Sequence, residues 1–173
     1  MAARDQALLW VLFDTGISVC KVCALCVSDL DRKTGTLRVR GKGGKERQMV
    51  LGATCLGYLL SALDQACATP GTRAMRKRTG TDPLFCTERG RPLTKNSLAL
   101  LFRRLRTRAG TDEIPISPKI LRHSFALRYL QAGGTPEGLQ ELLAYEGMAP
   151  VRQYQRWYDQ VLHDQVQKGT EEG

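Results

Sequence analysis

The sequence predicts an α+β domain, predominantly helical, with a small antiparallel β-hairpin or three-stranded sheet at one edge. Apolar residues recur at helical spacing through most of the chain, while one pair of period-two segments flanks a glycine-rich turn. The 173 residues, 42% hydrophobic and 25% charged, supply enough apolar material for one core and too little for a second full domain.

Residues 4–13 (RDQALLWVLF) carry helical spacing, and Asp14-Thr15-Gly16 reads as the turn that ends the helix. A second helix is expected over 18–26, followed by a loop over 28–35. Thr36-Leu37-Arg38-Val39-Arg40 then alternates as a strand. Gly41-Lys42-Gly43-Gly44 is turn chemistry, so residues 46–51 should return as the partner strand, with Lys42 near the hairpin tip. A helix over 53–67 follows.

Residues 69–81 (TPGTRAMRKRTGT) combine Pro, Gly and basic side chains, which predicts an exposed basic loop. Residues 83–86 read as a short strand and 93–109 as a helix rich in arginine. Further helices are expected over 119–132, 136–144 and 151–168, the last with an interruption.

Lys and Arg total 26 against 17 Asp and Glu, and the net charge of +9 favours a polyanionic partner such as nucleic acid. Asp5, Asp14, Lys21 and Asp29 interrupt the most apolar region, so no membrane span is expected, and the N-terminus does not read as a signal peptide. The six cysteines are expected as free thiols in a reducing, cytoplasmic interior. Cys20, Cys23 and Cys26 have C-x-x-C spacing but no second ligand pair, since His123 and His163 are isolated; the three are read as core residues of the second helix. No metal or small-molecule cofactor is expected.

Three segments carry the chemistry. TLRVRGKGGKERQMVLG (36–52), SPKILRHSFA (117–126) and VRQYQRWYD (151–159) resemble blocks of the tyrosine recombinase, or phage integrase, family, and they occur in that family's order. With RDQALLWVLFDTG near the start, the resemblance runs over nearly the whole chain and implies an integrase-like catalytic domain over 1–173. It further implies that a tyrosine hydroxyl attacks the scissile phosphate of double-stranded DNA and leaves a 3′-phosphotyrosyl link and a free 5′ hydroxyl. Positioned cations and donors would neutralise the phosphorane without a metal.

By the same resemblance Tyr154 is the nucleophile, because Trp157 and Asp159 match the positions that follow it in the family; Tyr158, one helical turn on, is the reserve. Arg122 matches the family arginine of H-x-x-R, whose planar fork can hold two phosphate oxygens. Lys42 matches the lysine that protonates the leaving 5′ oxygen, with Lys45 able to substitute by position. His123 belongs to the block but is read as a structural helix residue.

The chain departs from the family pattern at several places. Ser18 stands where the family has its first catalytic arginine, a loss expected to cost about 2 to 4 kcal/mol, on the order of a hundred- to thousandfold in rate. Lys21 replaces the glutamate three residues later, and Lys21, Arg40 or Arg47 are candidates to restore the charge. Lys119 replaces the first histidine and Tyr145 the second, and both remain able to donate to a phosphate oxygen. Further DNA contacts are expected from Arg73, Arg76, Lys77 and Arg78 in the basic loop and from Arg103 and Arg104 on the helix.

Relatives also carry an N-terminal domain that clamps the other face of the DNA, so this chain is expected to lack that domain. Its C-terminal segment is expected to dock on a neighbour when four copies assemble on two duplexes. Two other readings follow from the same residues: a type IB topoisomerase, which shares the chemistry, and a degenerate relative that binds DNA without cutting it.

Overall fold

The computed structural model describes residues 2–41, 44–68, 79–87, 89–110 and 116–171. Helix α1 (Ala3–Thr15) buries Ala7, Leu8, Val11, Leu12 and Thr15, one stripe at helical spacing that becomes the centre of the core. Helices α3 (Ala53–Ala68) and α5 (Pro118–Gln131) pack against it, and α7 (Ala149–Glu171) packs on α5. The Asp14 carboxylate accepts the Gly52 N–H at 2.6 Å, tying the end of α1 to the start of α3.

Gly16 ends α1 at φ 61° and donates its N–H to the Leu12 carbonyl. A Cβ there would lie 2.6 Å from Phe125 Cδ1 and 3.0 Å from Leu143 Cδ2, so α5 and α6 (Pro136–Leu143) leave room only for glycine. Gly16→Ala should destabilise the domain by about 2 to 4 kcal/mol, roughly 1 from the left-handed backbone and the rest from crowding, which urea denaturation would register as a lower midpoint.

The second helix stops earlier than its sequence suggests. Helix α2 spans Val19–Cys23 and buries only Val22. Beyond it the chain is claimed by a distant segment: Leu84 donates to the Leu25 carbonyl (2.7 Å), while the Val27 and Ser28 N–H groups donate to Asp82 and Gly80. The Asp29 carboxylate caps the Cys26 N–H at 2.8 Å, so hydrogen bonds from elsewhere replace the helical ladder. The expected cysteine stripe therefore does not form; Cys20 is exposed and Cys23 and Cys26 are half-buried.

The sheet has three antiparallel strands in the order β1-β2-β3. β2 (Thr36–Arg40) and β3 (Glu46–Val50) pair in the expected register, with Leu37 opposite Met49 and Val39 opposite Arg47. Strand β1 (Leu30–Asp31) lies where a loop was expected, pairing Leu30 with Leu37 after a turn through Gly35 at φ 68°. Residues 83–86 are not a strand; Pro83 and Cys86 make only isolated bridges, to Cys26 and Pro92. Leu84 and Phe85 are nevertheless buried, which accounts for the apolar pattern.

Helix α4 (Lys95–Ala109) is capped by Thr94, whose hydroxyl accepts the Ser97 N–H, and buries Leu98 and Phe102. Ser117 and Thr135 cap α5 and α6, each followed by proline at the first helical position. Helix α6 ends at Ala144 with φ 52°, held by Ala144 and Tyr145 N–H bonds back to Glu141 and Gln140. A left-handed alanine costs about 1 kcal/mol, and this bend delivers Tyr145 toward α5. Helix α7 runs without the expected interruption. Among the described residues no helix is long and apolar enough to cross a membrane.

Candidate active site

Arg122, on the second turn of α5, reaches into the angle between α1 and α6. Its Nη1 donates to the Gly16 carbonyl (2.8 Å), Nη2 to the Leu143 carbonyl (2.8 Å), and Nε to the Tyr145 hydroxyl (3.0 Å). The guanidinium also lies over the Tyr145 ring, 4.6 Å from its centroid. A guanidinium has five N–H donors, so these contacts fix its plane and leave two for a ligand among the described residues. The left-handed turns at Gly16 and Ala144 both lie beside its partners, which ties the site to the fold.

Tyr154 comes from α7 and is 3% exposed. Its hydroxyl is 3.1 Å from the Tyr145 hydroxyl and 2.9 Å from His123 Nδ1. Trp157 stands edge-on to both rings, 5.5 Å from Tyr154 and 5.3 Å from His123. Burial, then the hydrogen bond and charge of Tyr145, push the Tyr154 phenol above its ordinary pKa, while Arg122 pulls it back in part. Burial and the charges of Lys119 and Arg122 push His123 below its ordinary value, so its imidazole is neutral at pH 7.

The structure thus joins Arg122, Tyr145 and Tyr154 in one hydrogen-bonded group and adds His123, which sequence reasoning set aside as structural. Helical spacing from Arg122 gave no signal for it, because adjacent residues on a helix point about 100° apart and which of them meets α7 depends on packing. Tyr158, half-buried, makes no described hydrogen bond with this group. Lys119 is exposed on the first turn of α5, near enough for its charge to act on His123.

The sheet edge contributes differently at each cation. Lys42 lies outside the described residues; the loop that carries it is closed by the Gly41 N–H on the Lys45 carbonyl, and Lys45 itself is exposed. Arg40 is paired with Asp29 (3.1 Å) and Glu46 (3.4 Å), so its charge is already compensated. Arg47 sits on the inward face opposite the fully buried Val39, and its Nε is buried without a hydrogen-bond partner. Burial and, to a lesser degree, the charge of Arg122 both depress its pKa, and among the described ion pairs no carboxylate is paired with Arg47.

Ser18 precedes α2, two residues beyond the carbonyl that Arg122 holds, and Lys21 is half-buried on that helix with no described bond to the Arg122 group. Arg103 and Arg104 are exposed on α4, and Arg89 and Arg91, exposed in the segment before it, line with Arg4 and Arg104 an open depression that sequence reasoning did not single out. Arg73, Arg76, Lys77 and Arg78 lie outside the described residues.

The chain is 30% identical over 151 residues to the tyrosine recombinase XerD of Vibrio vulnificus (strain YJ016), covering 87% of the chain and 48% of that relative. It is 33% identical over 155 residues to the tyrosine recombinase XerC of Pelobacter propionicus (strain DSM 2379 / NBRC 103807 / OttBd1), covering 87% and 47%. It therefore spans about half the length of the curated relatives it matches. The crystal structure of XerA recombinase superposes with a TM-score of 0.79 at 27% identity, over 96% of this chain and 58% of that one. A pre-cleavage complex of XerH site-specific recombinase with its difH substrate superposes with a TM-score of 0.71 at 27% identity, over 88% and 42%. Residues 1–160 match the Phage integrase family, and with the tyrosine and arginine blocks joined in space the chain belongs to that family.

Proposed function

We propose that this chain is the catalytic domain of a site-specific recombinase that cleaves and rejoins double-stranded DNA through a 3′-phosphotyrosyl intermediate. The observation that carries this reading is the continuous chain Arg122–Tyr145–Tyr154: a donor fork for a phosphate and a candidate nucleophile held in one hydrogen-bonded group. In the proposed step Tyr154 Oη forms a bond to phosphorus as the bond to the 5′ oxygen breaks. Arg122 and the Tyr145 hydroxyl stabilise the charge on the non-bridging oxygens, and Lys42 protonates the departing oxygen. The basic net charge and the exposed arginines of α4 fit a DNA backbone as the partner, and assembly as four copies on two duplexes is part of the same proposal.

Ser18 removes a phosphate contact that the family uses, and Arg47 is best placed to replace it. Arg40 is neutralised by Asp29 and Glu46, and Lys21 has no described bond to the Arg122 group, whereas Arg47 is inward, unpaired at Nε and within the electrostatic reach of Arg122. An unpaired, desolvated cation next to another costs stability until an anion arrives. Arg47→Met should therefore raise Tm by roughly 2 to 4 °C while lowering the rate of strand cleavage about a hundred- to thousandfold. A variant that loses stability and keeps its rate would return Arg47 to a packing role.

The reading is tested by incubating the protein with a pool of nicked duplexes of randomised sequence and isolating protein–DNA adducts that survive denaturation. An adduct whose peptide maps to Tyr154 supports it. Duplex binding without any adduct would instead support a non-cutting relative weakened at Ser18, and relaxation of supercoiled plasmid without a paired site would support a topoisomerase.

A further inference from the structure

Both positions at which relatives carry an active-site histidine are occupied by other residues here, Lys119 and Tyr145, which leaves the proton of the nucleophile without an evident acceptor. The Lys119 side chain is exposed at the start of α5, and Tyr145 already accepts a hydrogen bond from Arg122. Tyr154 Oη instead meets the imidazole of His123 at 2.9 Å, a half-buried ring held edge-on by Trp157.

Resting on the recombinase reading above, we infer that His123 is the general base of strand cleavage, its Nδ1 removing the Tyr154 proton as the phenolic oxygen attacks phosphorus. A guanidinium only donates, so Arg122 Nε–H is received by the Tyr145 oxygen and that side chain is fixed as an acceptor at this end. With Nδ1 unprotonated, the 2.9 Å contact is one in which the Tyr154 hydroxyl donates its proton to the imidazole.

The step balances. The Oη–H bond breaks and its proton goes to Nδ1; the Oη–P bond forms; the P–O5′ bond breaks with its electron pair on oxygen, which takes a proton from Lys42. In rejoining, the 5′ oxygen bonds to phosphorus as its proton returns to Lys42, the P–Oη bond breaks, and the departing phenolate recovers its proton from His123.

The groups facing His123 agree with a base that stays unprotonated near neutrality. Lys119 and Arg122 from its own helix oppose a positive ring, and among the described residues the side chains it meets from α7 are Tyr154 and Trp157 rather than carboxylates. Burial acts in the same direction. The rate of adduct formation should thus rise with pH through an apparent pKa below the ordinary histidine value of about 6.5 and then level off.

His123→Asn separates a base from a positioning residue, because the amide oxygen can accept the Tyr154 hydrogen bond but cannot take its proton. Adduct formation with nicked duplexes recovered from the randomised pool should fall about a hundred- to ten-thousandfold in this variant and lose its acid limb, with duplex affinity changed less than about threefold. A His123→Asn enzyme within about threefold of the parent rate, or one that keeps the acid limb, overturns the inference. A substrate with sulfur in the 5′ bridging position adds a second discriminator, since a thiolate leaves without being protonated. The His123→Asn defect should persist on it, and a defect that disappears there assigns His123 to the acid step and overturns its role as base. Failure of the parent protein to form any Tyr154 adduct is the separate result that would sink the recombinase reading itself.

Discussion

Tyr154→Phe should abolish covalent attachment to DNA, a loss of at least about ten-thousandfold, because the substitution removes the one atom that bonds to phosphorus. The domain should survive the change. The ring keeps its contacts with Trp157 and its burial among the core residues, and the deleted hydroxyl takes with it the hydrogen bonds to Tyr145 and His123. Loss of these bonds costs about 1 to 3 kcal/mol, less than the stability of a typical domain, and Tyr145 retains its bond from Arg122. Duplex binding should persist, so an electrophoretic shift with no adduct is the expected pair of results. Tyr158→Phe is the paired control: it should leave adduct formation near the parent rate, and an adduct lost in Tyr158→Phe but retained in Tyr154→Phe would move the nucleophile one helical turn.

The burial of Tyr154 shapes how that attack must occur. A phenol 3% exposed, with its pKa raised by burial, is a poor nucleophile until phosphate reaches it. On the recombinase reading, attack therefore needs the phosphate to reach Tyr154 Oη and His123 to take up its proton. The same logic applies to Arg47, whose unpaired charge becomes favourable only when an anion is bound. In both places the free protein holds a less comfortable arrangement than the complex would, as expected of a site organised around a developing charge.

Much of this was legible in the sequence, and the exceptions share a cause. The β2–β3 hairpin could be read because alternation and a glycine turn are local signals, and the starts of α5 and α6 to within a residue or so because a proline opening a helical pattern is local too. The end of α2, the two-residue β1 and the non-strand at 83–86 were not readable, since each is decided by pairing between segments distant in sequence. At the site, Arg122 and Tyr154 were singled out from the blocks that carry them and Tyr145 from the position it takes in the family pattern, and the structure brings the three together. His123 and the unpaired state of Arg47 were not, because a neighbour's position on α7 or a missing carboxylate is a property of packing rather than of spacing.

Arg122→Ala should injure stability and chemistry together, with the two effects separable by temperature. The side chain clamps the carbonyls of Gly16 and Leu143, both in buried residues, so truncation orphans two acceptors at about 1 to 3 kcal/mol each. A loss of about 2 to 6 kcal/mol would lower Tm by roughly 4 to 24 °C at this chain length. Adduct formation, measured well below that midpoint, should fall by more than about a thousandfold, because the phosphate loses its fork and Tyr145 loses the donor that polarises it. Arg122→Lys sharpens the test. An ammonium keeps the charge but cannot span both carbonyls and the Tyr145 hydroxyl in one plane, so a cleavage rate within about tenfold of the parent would show that charge alone suffices and that the fork geometry is dispensable. Because the carbonyls fix the guanidinium before DNA arrives, its remaining donors need no reorganisation when the phosphorane forms, and this is why the most deeply anchored residue of the site is also the one whose replacement should be least tolerated.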